Sequence, residues 1–264
     1  MTRIITKNFR PPQFSLRFAH VWRRNRLVWR KLAIPSMLGN LADPMIYMLG
    51  LGYGLGSMLP QVGGMPYIAF LAAGTVCSST MMSASFEAMY SGFSRMHVQK
   101  TWEAIMHAPL TLDDVLLGEA VWAASKSFLS GMAVLLVALA LGFTHSLLAL
   151  WVIPVVFLTG LVFAGMGLIM TALSPSYDFF MYYFTLAITP MMLLSGVFFP
   201  VAQLPPAVQD VTVVLPLSHA VALVRPLMSG TLPDNPLLHL AVLALYAAAA
   251  FCIALVLMRR RLLK

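Results

Sequence analysis

Ser94-Arg-Met-His-Val-Gln-Lys-Thr-Trp-Glu-Ala-Ile-Met-His-Ala-Pro-Leu-Thr-Leu-Asp-Asp-Val-Leu-Leu-Gly-Glu119 is a polar island inside an otherwise apolar sequence. Trp102, Ile105, Met106 and Pro109 fall at i, i+3, i+4 and i+7, the spacing of one helix face, while Lys100, Glu103 and His107 point elsewhere. The spacing predicts a short amphipathic helix over 98–109, stopped by Pro109. Thr111 then stands before Leu112, Asp113 and Asp114, as an N-cap with an acidic first turn. Two long membrane segments are therefore joined by a small helix at a membrane surface. Its apolar face needs cover, from the lipid interface and the protein's own loops or from a partner protein.

The flanks decide the class. With 264 residues, 60% of them apolar and 10% charged, and a mean hydropathy of +0.84, the chain lies outside the range of soluble domains. Five runs are nearly free of charge: Met65 to Phe86, Ser127 to Phe143, Leu147 to Leu173, Phe179 to Phe199 and Leu237 to Met258. A bilayer needs about 20 apolar residues, which the second run reaches only if Lys126 snorkels to the interface. A sixth run, Leu32 to Leu59, is interrupted by Asp43 and Pro44. The expectation is an all-α integral membrane protein in one membrane domain, with spans at 33–59, 65–91, 119–143, 147–173, 177–199 and 237–258.

The net charge of +8 is distributed like that of a membrane protein, not of a nucleic-acid binder. Nine of seventeen Lys and Arg precede Leu32, Arg95 and Lys100 lie in the island, and Arg259, Arg260, Arg261 and Lys264 end the sequence. Six spans put all three groups on one side, which the positive-inside rule makes the cytoplasm, with both termini there. Arg225 alone is left for the far side. Cys77 and Cys252 each fall in mid-span and read as small apolar side chains, not a disulfide. No short apolar segment with a small-residue cleavage site precedes the first span, so no removable signal peptide is expected.

Over 14–32, Phe14, Phe18, Val21, Trp22, Val28, Trp29 and Leu32 share one arc, opposite Arg17, Arg23, Arg24, Arg26, Arg30 and Lys31. This is a helix lying among headgroups, because it runs straight into a span. In the first span, Asn40 and Asp43 sit beside Pro44, which kinks the helix and frees a carbonyl. Asp43 either caps that broken backbone or lines a substrate path. Thr75, Ser78, Ser79, Thr80, Ser83 and Ser85 permit close helix packing in the second span, and Glu87 at its end reaches cytoplasmic water. Tyr177, Phe179, Phe180, Tyr182, Tyr183 and Phe184 form either an interfacial aromatic belt or a stacking platform for sugar rings. From Pro200 to Pro236 the stretches are apolar but too short to span, so 203–230 is expected as a pair of re-entrant outer helices. Arg225 there needs an anionic partner, Asp210 or a bound phosphate.

Catalytic signatures are missing. No Gly-x-x-x-x-Gly-Lys-Ser/Thr phosphate loop and no Gly-x-Ser-x-Gly elbow occurs. The histidines at 20, 97, 107, 145, 219 and 239 are scattered over different elements, so no metal site is expected. No catalytic residue or cofactor is assigned to this chain.

Leu194-Ser195-Gly196 through Phe199-Pro200, Leu204-Pro205 and Leu215-Pro216-Leu217-Ser218-His219 to Arg225 resemble the signature of type-2 ABC exporter permeases. Leu38 to Pro44, Gly50-Leu51-Gly52, Phe70 to Gly74, Thr101 to Ala104 and Ser174 to Asp178 are closer still to the nodulation-protein J branch, the permeases of lipo-chitooligosaccharide exporters. The resemblance implies a homodimer in the bacterial inner membrane, its first and fifth spans flanking a path past Asn40, Asp43, Tyr182 and Tyr183. It implies a coupling helix, with Lys100, Thr101, Trp102, Glu103, Ile105 and Met106, docked on a separate ATPase subunit. Two copies of that subunit would bind ATP and Mg. It also implies an outer re-entrant pair carrying Ser218, His219 and Arg225, and an amphipathic saccharide as cargo. The competing expectations are an ion-coupled carrier using Asp43, Glu87 and Lys126, and a transferase acting on lipid-linked sugars through Asp113, Asp114 and Glu119. Internal repeats, common in carriers, are not detected.

Overall fold

The computed structural model describes residues 11–59, 61–144 and 146–263. Arg3, Lys7, Arg10 and Lys264 of the basic count, and His145, lie outside them. The chain is helical almost throughout. The helices are α1 (Phe18–Arg30), α2 (Ala33–Gly54), α3 (Tyr67–Val98), α4 (Thr101–Met106), α5 (Leu112–Ala140), α6 (Leu147–Leu173), α7 (Phe179–Leu194), α8 (Pro206–Thr212), α9 (Pro216–Ser229) and α10 (Pro236–Leu262). A two-residue hairpin, β1 (Gln61–Val62) and β2 (Met65–Pro66), turns α2 into α3.

Four helices, α3, α5, α6 and α10, are long and apolar enough to cross a membrane. α2 has 22 residues but carries Asn40 and Asp43, and α7 is short. α8 and α9 meet at 87° across a short break, the geometry of either a broken span or a re-entrant pair. α6 is the centre, packed on α3, α5, α9 and α10, while α2 and α7 are peripheral. Ile34, Leu38, Ile46 and Tyr53 on α2 and Met181 and Leu186 on α7 are exposed.

Local codes explain several boundaries. Thr111 Oγ1 accepts the Asp114 N–H at 3.2 Å while the Asp114 carboxylate accepts the Thr111 N–H at 3.0 Å, a reciprocal cap that starts α5. Asp113, expected to share that task, instead takes Arg259 from the end of α10 and the N–H of Gln13. Gly118 lets α1 lie on α5, because a Cβ there would come within 2.6 Å of Val21. Gly230, at φ 87°, ends α9 in the left-handed conformation.

Other boundaries move. The second span runs on to Val98 through two π-helical stretches, Glu87–Ser91 and Ser94–Val98. The island helix is therefore shorter than 98–109, beginning at Thr101 after Lys100 reverses the chain at φ 51°. α5 starts at Leu112, seven residues before the expected 119. The fifth apolar run loses helix at Leu194, where Gly196 turns at φ 75°. Cys77 is buried and Cys252 exposed, both free.

Candidate functional site

Glu87, Ser91 and Arg95 recur at i, i+4 and i+8 along α3, and Glu119, Trp122 and Lys126 at i, i+3 and i+7 along α5. The two faces meet. Arg95 donates Nη1 to Glu87 at 3.0 Å and binds both oxygens of Glu119 through Nε and Nη2. Glu87 also takes Lys126 Nζ at 2.8 Å, Trp122 Nε1 at 2.8 Å and Ser91 Oγ at 3.0 Å. Glu119 also takes Trp102 Nε1 at 3.0 Å and Asn25 Nδ2 at 3.1 Å. Both carboxylates are buried, at 3% and 2% exposure. Glu87 therefore faces Arg95 and Lys126 where cytoplasmic water was expected, and Lys126 is ion-paired and not simply snorkelling. A buried charge is tolerated only when paired and hydrogen-bonded, and both carboxylates meet that condition.

Four elements converge here: α1 through Asn25, α3 through Glu87 and Arg95, α4 through Trp102, and α5 through Glu119, Trp122 and Lys126. Trp102, expected on a docking face, is fully buried, its indole committed to Glu119. Ile105 and Met106 pack half-buried on the core, while Glu103 and His107 are exposed. What α4 offers to the outside is its Lys100 and Glu103 side, with Thr101 half-buried beside them. Nearby, Arg24 gives one N–H to Asn25 Oδ1 at 3.0 Å and has no carboxylate partner among the described residues. Burial, and then the charge of Arg95, pull its guanidinium below the ordinary arginine range. Clamps finish this end: Arg17 on the Pro109 carbonyl, Ser15 on Asp114, and Arg261 on the carbonyls of Thr171, Ala172 and Ser174 that end α6.

A cavity of about 460 Å³ lies between α2, α3 and α7. Asn40 and Asp43 line it, with Thr75, Ser78, Ser79 and Ser83 across from them. The carbonyl that Pro44 frees, that of Asn40, accepts Ser130 Oγ from α5 at 3.4 Å. Asp43 makes no such bond and is exposed to the cavity side, so backbone capping is not its task. Tyr182 and Tyr183 are not brought to this cavity: Tyr182 is exposed elsewhere on α7 and Tyr183 is buried. Tyr90, Tyr177, Phe93 and Phe180 pack into one aromatic cluster, with Tyr90 and Tyr177 stacked at 6.0 Å and 8°.

Arg225 and His219 lie at the other end of the bundle. Phe70 and Glu87 are 17 residues apart on α3, about 25 Å at 1.5 Å per residue. Arg225 has no acidic partner among the described residues. It donates Nη2 to the carbonyls of Gly196 and Phe70 and lies 3.5 Å over the Phe70 ring. In place of the expected Asp210, Arg225 meets the Gly196 carbonyl at the turn and the Phe70 carbonyl of α3. His219 and His239, read as scattered, join Nδ1 to Nδ1 at 2.7 Å and tie α9 to α10, with His219 Nε2 on the Val213 carbonyl at 2.9 Å. Ser218 Oγ is buried without a partner.

Comparison with known proteins identifies the family. The family model described as ABC-2 type transporter matches residues 17–228. Nodulation protein J of Rhizobium leguminosarum bv. viciae is 49% identical over 253 residues, 96% of this chain and 98% of the relative. Nodulation protein J of Rhizobium meliloti (strain 1021) is 51% identical over 243 residues, 92% and 93% of the two chains. The inner membrane transport permease YadH of Escherichia coli (strain K12) is 22% identical over 91% of this chain and 93% of its own. Members of this family are membrane subunits of transporters that work with an ABC ATPase. The chain is a multi-pass membrane protein and belongs to the ABC-2 type transporter family.

Proposed function

We propose that this chain is the permease of an exporter that moves a lipid-linked saccharide outward across the bacterial inner membrane. One observation carries the proposal: the indole of Trp102, on the short helix α4, is bonded to the same buried carboxylate that holds Arg95 of α3 and Asn25 of α1. A push on α4 is thereby delivered to α3, α5 and α1 together. Two ATPase subunits supply it, binding ATP and Mg themselves and gripping α4 through Lys100, Thr101 and Glu103. Their grip differs between nucleotide states, since equal affinity would shift nothing.

In this reading α2 and α7 count as spans beside α3, α5, α6 and α10, making six. α8 and α9 dip into the outer leaflet, and both termini are cytoplasmic, as the basic α1 and the α10 end favour. The exposed apolar faces of α2 and α7 pair with a second copy, and the cavity by Asn40 and Asp43 lies along the saccharide path between the copies. Serine and threonine hydroxyls on its α3 wall suit sugar hydroxyls. Glu87 is saturated by Lys126, Arg95, Trp122 and Ser91, which counts against an ion-coupled carrier that would load and unload it.

The test is purification of the tagged chain in mild detergent. A stoichiometric ATPase subunit is expected, and Lys100→Ala with Glu103→Ala should lower export while the chain stays folded. A chain that transports with no ATPase bound would overturn the reading.

A further inference from the structure

At the α4 end, a cavity of about 530 Å³ opens between α1, the π-helical end of α3 and α5. Its polar lining is rich in hydrogen-bond donors, with the hydroxyls of Tyr90, Ser91 and Tyr177 able to serve either way. Both oxygens of Glu87, the carboxylate facing it, are already taken, by Arg95 and Trp122 on one and by Lys126 and Ser91 on the other. Lys126 has used one of three N–H groups and Arg24 one of five. Ser36 Oγ accepts from Trp29 Nε1 and Ser94 Oγ accepts from Gln99 Nε2, and among the described residues neither serine donates its own O–H. Three cations, Arg24, Arg95 and Lys126, face two carboxylates, Glu87 and Glu119, which leaves one positive charge in excess. Free donors around a surplus cation, with the carboxylate that faces them fully engaged, are the chemistry of an anion site. The rim says what carries the anion: Val28 and Leu32, 54% and 65% exposed, continue the opening along apolar surface.

We propose that this cavity holds the phosphate headgroup of a net anionic inner-leaflet lipid, with Arg24 and Lys126 on the phosphate and the acyl chains along Val28 and Leu32. The proposal rests on α1 lying at the cytoplasmic membrane surface, not on the cargo or the ATPase. Occupancy would bridge α1 to α5 beside the carboxylate that holds Trp102, so lipid would brace the element that receives the push.

The full-length chain is placed in phosphatidylcholine bilayer discs containing a minor fraction of phosphatidylglycerol, and retained lipid is counted by native mass spectrometry. One phosphatidylglycerol should be kept in preference to phosphatidylcholine. Arg24→Gln should weaken retention about tenfold, the loss of one charge-assisted contact. Arg24→Lys, which keeps the charge, should recover part of it. Arg23→Gln removes the same charge from an exposed position on α1 and should change retention less than about twofold, as a screened surface charge does. Equal weakening by Arg23→Gln and Arg24→Gln overturns the site in favour of general attraction to anionic lipid. Equal retention of phosphatidylcholine overturns it as well, and displacement by inorganic phosphate alone overturns the lipid as its source. Retention needs neither ATPase nor cargo, so it stands or falls separately from the exporter reading.

Discussion

At the end of the bundle that carries α4, buried charges meet each other; at the end that carries α8 and α9, a guanidinium meets carbonyls. All ion pairs among the described residues lie at the first end: Arg95 with Glu87 and Glu119, Lys126 with Glu87, and Arg259 with Asp113. The second end is held by bonds to main-chain oxygens, such as Tyr67 on Phe198, Tyr246 on Val214 and Arg225 on Gly196 and Phe70, together with the His219–His239 pair, and by no ion pair among the described residues. Removing one member of a paired buried charge strands the other, whereas a bond to a carbonyl can be traded for water or a lipid headgroup. The comparison teaches that the first end is held by interdependent charges and the second by bonds that can be exchanged one at a time.

Three substitutions test that contrast. Glu119→Gln should have the largest effect, about 3–5 kcal/mol of destabilisation, because it leaves Arg95 and Asn25 without their charged acceptor in a buried setting. Thermal unfolding in detergent checks it, and a wild-type midpoint would show that the network does not hold this end. Arg225→Gln should cost about 1–2 kcal/mol, since an amide can still reach one carbonyl. A loss as large as that of Glu119→Gln would erase the distinction between the ends. Asp43→Asn should change stability by less than about 0.5 kcal/mol, because Asp43 makes no hydrogen bond in the described structure. Its transport, measured beside that small stability change, reads whether the path needs a negative charge.

What the sequence disclosed was what is encoded over a few residues. The Thr111 and Asp114 cap, the basic face of α1 and the stop at Gly230 were all readable, because each depends on neighbours within about one or two turns. The partners were not. Ser130 meets the carbonyl freed by Pro44 from 90 residues away, and Glu119 meets Arg95 across 24. A signal for the network did exist in the helical spacing of Glu87, Ser91 and Arg95 against Glu119, Trp122 and Lys126. It was obscured by reading Glu87 as solvated and Lys126 as snorkelling. Trp102 misled for a related reason: an aromatic on the apolar side of an amphipathic helix looks the same whether that side meets a partner or its own core. Arg225 was expected to find an acid because a carbonyl turned outward by a positive φ at Gly196 leaves little trace in composition.

The Arg259–Asp113 pair has a consequence for biogenesis. The two residues are separated by 146 positions, so Asp113 is made, and its helix inserted, long before its cation leaves the ribosome. Until α10 arrives, the Asp113 carboxylate at the start of α5 has, among the described residues, only the Gln13 amide to meet it. α10 thus supplies its cation late, and a chain halted before that helix would display an unanswered negative charge by which it differs from one that carries α10.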